Sequence, residues 1–269
     1  MSEIKVENVS LEYPIFGVGK RNFKQTLLSI STGGLIQGSK DTLTIKALNN
    51  LNLHFTKGDR VGILGHNGAG KTSLLKALAG IYIPQKGKIT VTGKVSALFS
   101  PKLGIDQEST GYENIRIRGV ILGMTERQIA EHIDEIAEFT DLGDFLNMPV
   151  RTYSSGMATR LAFAVVTAIE PDILVVDEGI GAGDKQFLKK AKARLQALYD
   201  KTNILVMSSH NVNIVRELCN RVVVLEHGQV KIQGGLEVLD DFEELKKDFK
   251  QIEAASSTYD GGDDSGDDE

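Results

Sequence analysis

The chain has 269 residues, 41% of them hydrophobic and 25% charged, a balance typical of a globular protein. No apolar run approaches the roughly 18 residues of a membrane-spanning helix, and the polar start MSEIKVENVS is unlike a secretory signal. The formal charge is −5, but the last ten residues hold six acids, so the remainder is near neutral. This charge argues against a broad basic surface, and we expect no nucleic-acid partner.

Strands dominate the first hundred residues. Residues 3–13 alternate in hydrophobicity as a β-strand does, and ALNNLNLHF from residue 47 predicts the next regular strand. RVGILG predicts a buried strand, and KTSLLKALAG has the leucine spacing of a helix. KITVTG and VSALF then predict two short strands. Residues 14–46 show no clear period.

Helices and buried strands alternate in the second half. A helical region is predicted from about residue 111 to residue 170, and within it Thr125 and Gln128 have capping-box spacing. DILVVDE, NILVMSSH and RVVVLEHG predict buried strands, separated by helices near 185–200 and 211–219. This alternation predicts an α/β core with a parallel sheet and an inserted helical subdomain. The one cysteine, Cys219, lies in an apolar helical pattern and is expected to be a buried, inert thiol.

The sequence GHNGAGKT, residues 65–72, matches G-x-x-x-x-G-K-[ST] in full between a predicted strand and a predicted helix. Glycines let backbone N–H groups curl around a phosphate at the helix start. Lys71 adds a cation for the β- and γ-phosphates, and the Thr72 hydroxyl suits Mg²⁺. The residues predicted to bind the phosphates are Gly65, His66, Asn67, Gly68, Ala69, Gly70, Lys71, Thr72 and Ser73.

Two adjacent acids end the buried strand of DILVVDEG. The Asp177 carboxylate is predicted to hold Mg²⁺ through a water molecule. Glu178 follows at the sheet edge where α/β folds bind ligands, so it is the predicted general base for attack of water on the γ-phosphate. The alternative interpretation is that Glu178 only caps a helix.

The sequence TYSSGMATRLAFAVV begins a predicted helix with Ser154, Ser155 and Gly156, small residues that leave helix N–H groups open to an anion. Together with the phosphate loop and the Asp-Glu pair, YSSGM resembles the signature motif of ABC ATPases, which is LSGGQ in most members. The resemblance implies an α/β P-loop NTPase fold with a RecA-like core, an inserted helical subdomain and an N-terminal antiparallel β part. It also implies ATP and Mg²⁺ as cofactors. Two copies would pack head to tail, each signature receiving the γ-phosphate of the ATP held by the other copy.

The same resemblance assigns further residues. His210 corresponds to the switch histidine that contacts the γ-phosphate, Asp184 to the D-loop that crosses the dimer, and Tyr13 to the aromatic residue that stacks on adenine. One position departs from the pattern, because Ser100 stands where the family places a metal-sensing glutamine. Gln107 lies seven residues later and is a poor substitute, which puts metal sensing by this loop in doubt.

The segments TGYENI, DLGDFLNMPVRTYSSGMATRLAFAV and GAGDKQFLKK resemble the ABC ATPases that export O-antigen, capsular polysaccharide and teichoic acid. This implies a peripheral subunit on the cytoplasmic face of the inner membrane, bound to a separate permease through residues 100–112. The alternatives are the ATPase of another ABC transporter, such as an importer, a non-transport ABC protein, or a P-loop kinase.

The predicted organisation is an ATPase domain over residues 1–235, with its helical subdomain at about 100–170. An amphipathic helix over 236–255 and a disordered acidic tail over 256–269 follow. Longer members carry a C-terminal β-sandwich of about 100 residues, which does not fit after residue 235, so we expect no direct binding of glycan. For residues 14–46 two interpretations stay open, an arm that leans toward the membrane or permease and a solvated loop.

Overall fold

The computed structural model describes residues 1–15, 35–39, 42–99, 104–177 and 185–242. The strands are β1 (Glu3–Ile15), β2 (Leu35–Ser39), β3 (Thr42–Thr56), β4 (Arg60–Leu64), β5 (Lys86–Thr92), β6 (Val95–Leu98), β7 (Ile173–Asp177), β8 (Ile204–Ser208), β9 (Arg221–Glu226) and β10 (Gln229–Gly234). The α-helices are α1 (Lys71–Leu78), α2 (Gly111–Ile121), α3 (Glu126–Thr140), α4 (Ser155–Val166), α5 (Lys185–Lys201) and α6 (Val212–Leu218), with short 3₁₀-helices at Gly143–Asn147 and Val150–Thr152.

The strands form two sheets. One is antiparallel, with the order β2-β3-β1-β5. The other has the order β10-β9-β4-β8-β7-β6 and is parallel except for the β9–β10 hairpin. The predicted α/β architecture, with a parallel core and an N-terminal antiparallel part, is therefore confirmed.

Helix α1 lies in the apolar core that joins the two sheets. Its Leu74 and Leu75 are fully buried in one cluster with Phe55 of the antiparallel sheet and Ile63 of the parallel sheet. Burial on both sides explains the continuous apolar runs of the parallel strands. Cys219 is buried in a second core cluster, as predicted, and burial raises the pKa of its thiol to about 12, which favours the protonated form.

Helices α2, α3 and α4 share an apolar core of their own, built around Ile115, Ile136 and Leu161. The predicted capping box of Thr125 and Gln128 starts α3, and a second one, of Thr110 and Glu113, starts α2. None of the helices in the described ranges has both the length and the hydrophobicity to cross a membrane.

Two strands, β2 and β10, were not predicted, and β3 begins at Thr42, five residues before the predicted strand. Most of the predicted arm, namely residues 16–34 and 40–41, lies outside the described residues. Residues 238–242 are helical, with Val238 and Leu239 buried, but the rest of the predicted last helix and the acidic tail also lie outside.

Candidate nucleotide site

Three of the predicted site segments meet at the carboxyl edge of the parallel sheet. The order β4-β8-β7 makes their strands direct neighbours, and Ser208 of β8 is in register with Ile63 of β4 on one side and Asp177 of β7 on the other. The phosphate loop, residues 65–72, leaves β4 at this edge, and His210 follows β8. Such an edge is where open α/β sheets bind their ligands.

The phosphate loop has a backbone shape that requires glycine. Gly65, Gly68 and Gly70 have φ values of 148°, 77° and 104°, which L-residues rarely adopt. The Lys71 side chain is only 8% exposed and turns back over the loop, where its Nζ donates to the carbonyls of Gly65 at 2.8 Å and His66 at 2.9 Å. The ammonium therefore lies inside the curl of the loop, as a phosphate ligand should.

The start of helix α1 carries no side-chain cap. Its N-cap is Gly70, which offers no acceptor to the first N–H groups. By contrast, the other α-helices with a described N-cap are capped by Thr110, Thr125, Ser154 and Asn211. Uncapped N–H groups at the positive end of a helix dipole form an anion site.

The β9–β10 turn supports the phosphate loop from outside. Gly228 N donates to Ala69 O at 3.0 Å, and Gly228 O accepts from Asn49 N at 2.8 Å, so the turn links the loop to strand β3. A side chain on Gly228 would lie 2.6 Å from Ala47 O, and its φ is 75°. The imidazole of His227 in the same turn lies 5.3 Å from that of His66, centroid to centroid.

Asp177 ends β7 with its side chain half-buried, and its Oδ1 accepts a hydrogen bond from the Ser208 hydroxyl at 2.5 Å. A carboxylate at the strand end and the exposed Thr72 hydroxyl at the start of α1 are the hard oxygen donors that Mg²⁺ prefers. Within the described ranges, no group of three or more histidines, cysteines or acids could hold a metal by itself. This sparse oxygen set fits Mg²⁺ bound together with phosphates rather than a metal cage.

The structure brings Tyr13 to the phosphate loop. Its hydroxyl donates to Ser73 Oγ at 3.1 Å, and its ring meets Tyr82 edge-on with centroids 5.5 Å apart. Partial burial raises the pKa of the Tyr13 hydroxyl, which keeps it neutral. The predicted adenine-stacking residue thus lies beside the first turn of α1, within reach of a nucleotide whose phosphates occupy the loop.

His210 is exposed on the turn between β8 and α6. Ser209 fixes this turn, since its hydroxyl accepts from Asn211 N at 3.0 Å, and Asn211 caps α6 by accepting from Asn213 N at 2.9 Å. The histidine is therefore presented at the same sheet edge as Asp177 and the phosphate loop.

The signature turn, Ser154–Gly156, lies at the start of α4 in the helical part. Ser154 caps the helix by accepting from Met157 N at 3.2 Å. Among the described residues, a side chain added to Gly156 would meet Ser154 Oγ alone, at 3.8 Å, so the space around it is open in this part of the structure. Among the described residues, no hydrogen bond joins the signature turn to the phosphate loop.

Three predicted site residues, Ser100, Glu178 and Asp184, lie outside the described residues. Sequence reasoning missed Ser208, whose only signal is a hydroxyl at the end of an otherwise apolar strand. It also missed Gly228, whose partners Asn49 and Ala69 are distant in sequence, and the fully buried Asn114, whose partners come together only when the loop before α2 folds.

A family model and several known proteins similar to this chain indicate the same family. Residues 48–181 match the family model described as ABC transporter. The O-antigen export system ATP-binding protein RfbE of Yersinia enterocolitica is 43% identical over 86% of this chain and 97% of its own length. RfbB of Myxococcus xanthus, also an O-antigen export ATP-binding protein, is 42% identical, and the teichoic acids export ATP-binding protein TagH of Bacillus anthracis is 36% identical. The chain spans only 48% and 44% of the lengths of these two relatives.

Solved structures share the fold. A dimeric ATP-binding cassette in a post-hydrolysis state with ADP and phosphate aligns with a TM-score of 0.62 and 22% identity, covering 87% of this chain and 98% of that one. The ATP-binding subunit of another ABC transporter aligns with a TM-score of 0.65 and 18% identity, covering 89% and 93%.

Proposed function

The chain belongs to the family of ABC transporter ATP-binding proteins, and we propose that it hydrolyses ATP to drive a polysaccharide, of the O-antigen class, across the inner membrane. The likeness to RfbE over nearly the whole of both chains supports the substrate class. One observation carries the ATPase activity: an uncapped helix start, the Lys71 ammonium and the Asp177 carboxylate meet at one edge of the sheet.

Each site residue has a separate proposed role in binding or hydrolysing ATP. The N–H groups of the phosphate loop and Lys71 bind the β- and γ-phosphates, and Tyr13 stacks on the base. Thr72 and Asp177 would hold Mg²⁺, Asp177 through a water molecule, and the ion would neutralise charge on the phosphates. Glu178 polarises the attacking water, while His210 contacts the γ-phosphate.

A second copy completes the site in this proposal. The signature turn of the partner supplies N–H groups and the Ser154 hydroxyl to the γ-phosphate, and Asp184 lies at the dimer seam. Glycine at residue 156 supports this arrangement. Within a helix glycine costs up to about 1 kcal/mol relative to alanine, and no described residue fills the space above Gly156.

The permease contact is proposed for residues 100–112 and the adjoining face of α2. Ile117, Val120 and Ile121 on that face are 36%, 52% and 58% exposed. They form an apolar stripe at helical spacing, which suits contact with an amphipathic helix of the permease. Contact with a permease places the subunit on the cytoplasmic face of the inner membrane.

The test is Glu178→Gln in the full chain, purified with its permease. We expect ATP binding to persist and steady-state hydrolysis to fall by about 10²–10⁴-fold, the usual value of general-base catalysis. Export of lipid-linked polysaccharide in cells should stop as well. Near-normal turnover would remove Glu178 from the role, and copurification with a permease that moves no glycan would contradict the substrate class.

A further inference from the structure

Asn114, in the TGYENI segment, is a fully buried polar side chain that does not touch the nucleotide edge. Its Oδ1 accepts from Asp106 N at 2.8 Å. Its Nδ2 donates to the carbonyls of Asp106 at 2.8 Å, Thr110 at 2.9 Å and Ser109 at 3.2 Å. One side chain thus fixes the path of the connecting loop, residues 104–110.

The connecting loop is bonded on its other side to the segment that enters the signature turn. Val150 N donates to Ser109 O at 3.0 Å, and Arg151 N donates to Gln107 O at 2.9 Å. A β-bridge between Thr110 and Pro149 and an ion pair between Arg151 and Glu108 reinforce the contact. The carbonyls that position residues 150 and 151 therefore belong to the loop that Asn114 holds.

Only two residues separate Arg151 from Ser154. Tyr153 N donates to Val150 O at 2.9 Å, and its hydroxyl donates to Phe145 O at 2.6 Å, so this short stretch has little freedom to compensate for a displaced loop. A shift of about 1 Å in a group that binds a reacting phosphate can cost two orders of magnitude in rate.

We propose that Asn114 is a positioning residue for the signature turn, acting through the connecting loop on residues 150–153. The proposal rests on the head-to-tail dimer of the proposed function. It follows that Asn114 of one chain serves the ATP bound by its partner, and not the ATP bound by its own phosphate loop.

Asn114→Asp is the most specific variant, because aspartate keeps the size and the accepting oxygen of asparagine. Its carboxylate has no N–H group to donate to the three carbonyl oxygens. Asp106→Ala is a milder variant of the same loop, since it removes the exposed carboxylate that accepts from Glu108 N and the Ser109 hydroxyl. Asp134→Asn, on the exposed side of α3 and outside both the loop and the proposed permease contact, is the matched control and should change nothing. If Asn114→Asp does not fold, as judged by thermal unfolding, Asp106→Ala takes its place.

The experiment uses mixed pairs of full chains with their permease, purified through two different affinity tags. In pair one, the first chain carries Asn114→Asp and the second carries Lys71→Ala. The intact phosphate loop of the first chain then faces the intact signature turn of the second. In pair two, one chain carries both substitutions, and the unchanged phosphate loop of its partner faces the altered signature turn. We expect pair one to match a pair with Lys71→Ala alone, and pair two to turn over ATP at least about tenfold more slowly, or 1.4 kcal/mol in the barrier.

Equal losses in the two pairs would overturn the inference, because a residue needed only for folding has no preference for the partner's site. Ser154→Arg in place of Asn114→Asp tests the dimer itself. If the two Ser154→Arg pairs turn over ATP at the same rate, the head-to-tail site is contradicted and the inference about Asn114 with it. If the Ser154→Arg pairs differ in rate but the Asn114→Asp pairs do not, only the inference about Asn114 is contradicted. If Lys71→Ala abolishes ATP turnover in every pair, the two pairs are compared instead by the amount of AMP-PNP that each retains after rapid gel filtration.

Discussion

At the scale of single residues, the hydrogen bond from Ser208 to Asp177 has a consequence for the metal. Ser208 is fully buried, so its hydroxyl needs a partner, and a 2.5 Å bond to a carboxylate is a strong, charge-assisted one. The bond occupies Oδ1 and fixes the rotation of the carboxylate. The hydroxyl thereby orients the group that we propose to hold Mg²⁺.

We therefore expect Ser208→Ala to raise the Mg²⁺ concentration for half-maximal ATP hydrolysis by about tenfold, equivalent to 1.4 kcal/mol. Binding of a fluorescent ATP analogue in EDTA should not change, because the phosphate loop is untouched. Ser96→Ala is the control, because Ser96 is a buried serine of the same sheet whose hydroxyl has no hydrogen-bond partner among the described residues. Equal weakening of binding with and without Mg²⁺ would show that Ser208 only supports the sheet.

Gly156 allows a second prediction in which stability and activity separate. Alanine fits the open space and favours the helix by up to about 1 kcal/mol, so Gly156→Ala should leave the thermal unfolding midpoint unchanged or slightly raised. Turnover with the permease should nevertheless fall at least about tenfold, because a methyl group enters the space proposed for the partner's phosphate. Full turnover by the alanine variant would argue that no ligand approaches the turn this closely.

At the scale of elements, the β9–β10 turn is expected to shape the phosphate loop. Gly228→Ala places a methyl group 2.6 Å from Ala47 O at a φ of 75°, whereas Gly58→Ala, at a φ of 96°, meets no described atom within 4 Å. Both variants strain the backbone, but only the first displaces an element bonded to Ala69. Gly228→Ala should weaken nucleotide binding at least about tenfold, and Gly58→Ala should lower the thermal midpoint alone. Equal nucleotide affinities of the two variants would show that the β9–β10 turn does not shape the phosphate loop.

Elements with a strong local pattern could be predicted from the sequence, and features with a weak pattern, or with partners that come together only in the fold, could not. The capping box at Thr125 needs only a residue three positions away, and the phosphate loop needs only its glycine spacing. Strand β10 was missed because its alternating pattern is short, with Val230 and Ile232 as its only two apolar residues. Ser208 and Asn114 look ordinary in sequence, since their importance comes from Asp177 across the sheet and from carbonyls of a folded loop.

At the scale of the whole molecule, the predicted ligands of ATP fall into two groups. The phosphate loop, Tyr13, Asp177 and His210 belong to the two sheets and the edge between β4 and β7, while the signature turn belongs to the separate core of α2, α3 and α4. Ser154, Ser155 and Gly156 form no hydrogen bond with the phosphate loop within the described chain. In the proposed site, a single copy would thus lack the contacts of a signature turn to the γ-phosphate.

This division predicts how the subunit associates. With Mg²⁺ and ATP, Glu178→Gln should form a dimer, because each nucleotide is then bound by both copies and is not consumed. The same chain without nucleotide should remain a monomer or a weak dimer, and adding Lys71→Ala should abolish the response, since the phosphate loop loses its cation. Light scattering during gel filtration measures the masses directly. A Glu178→Gln chain that binds ATP yet stays monomeric, even beside its permease, would contradict the composite site.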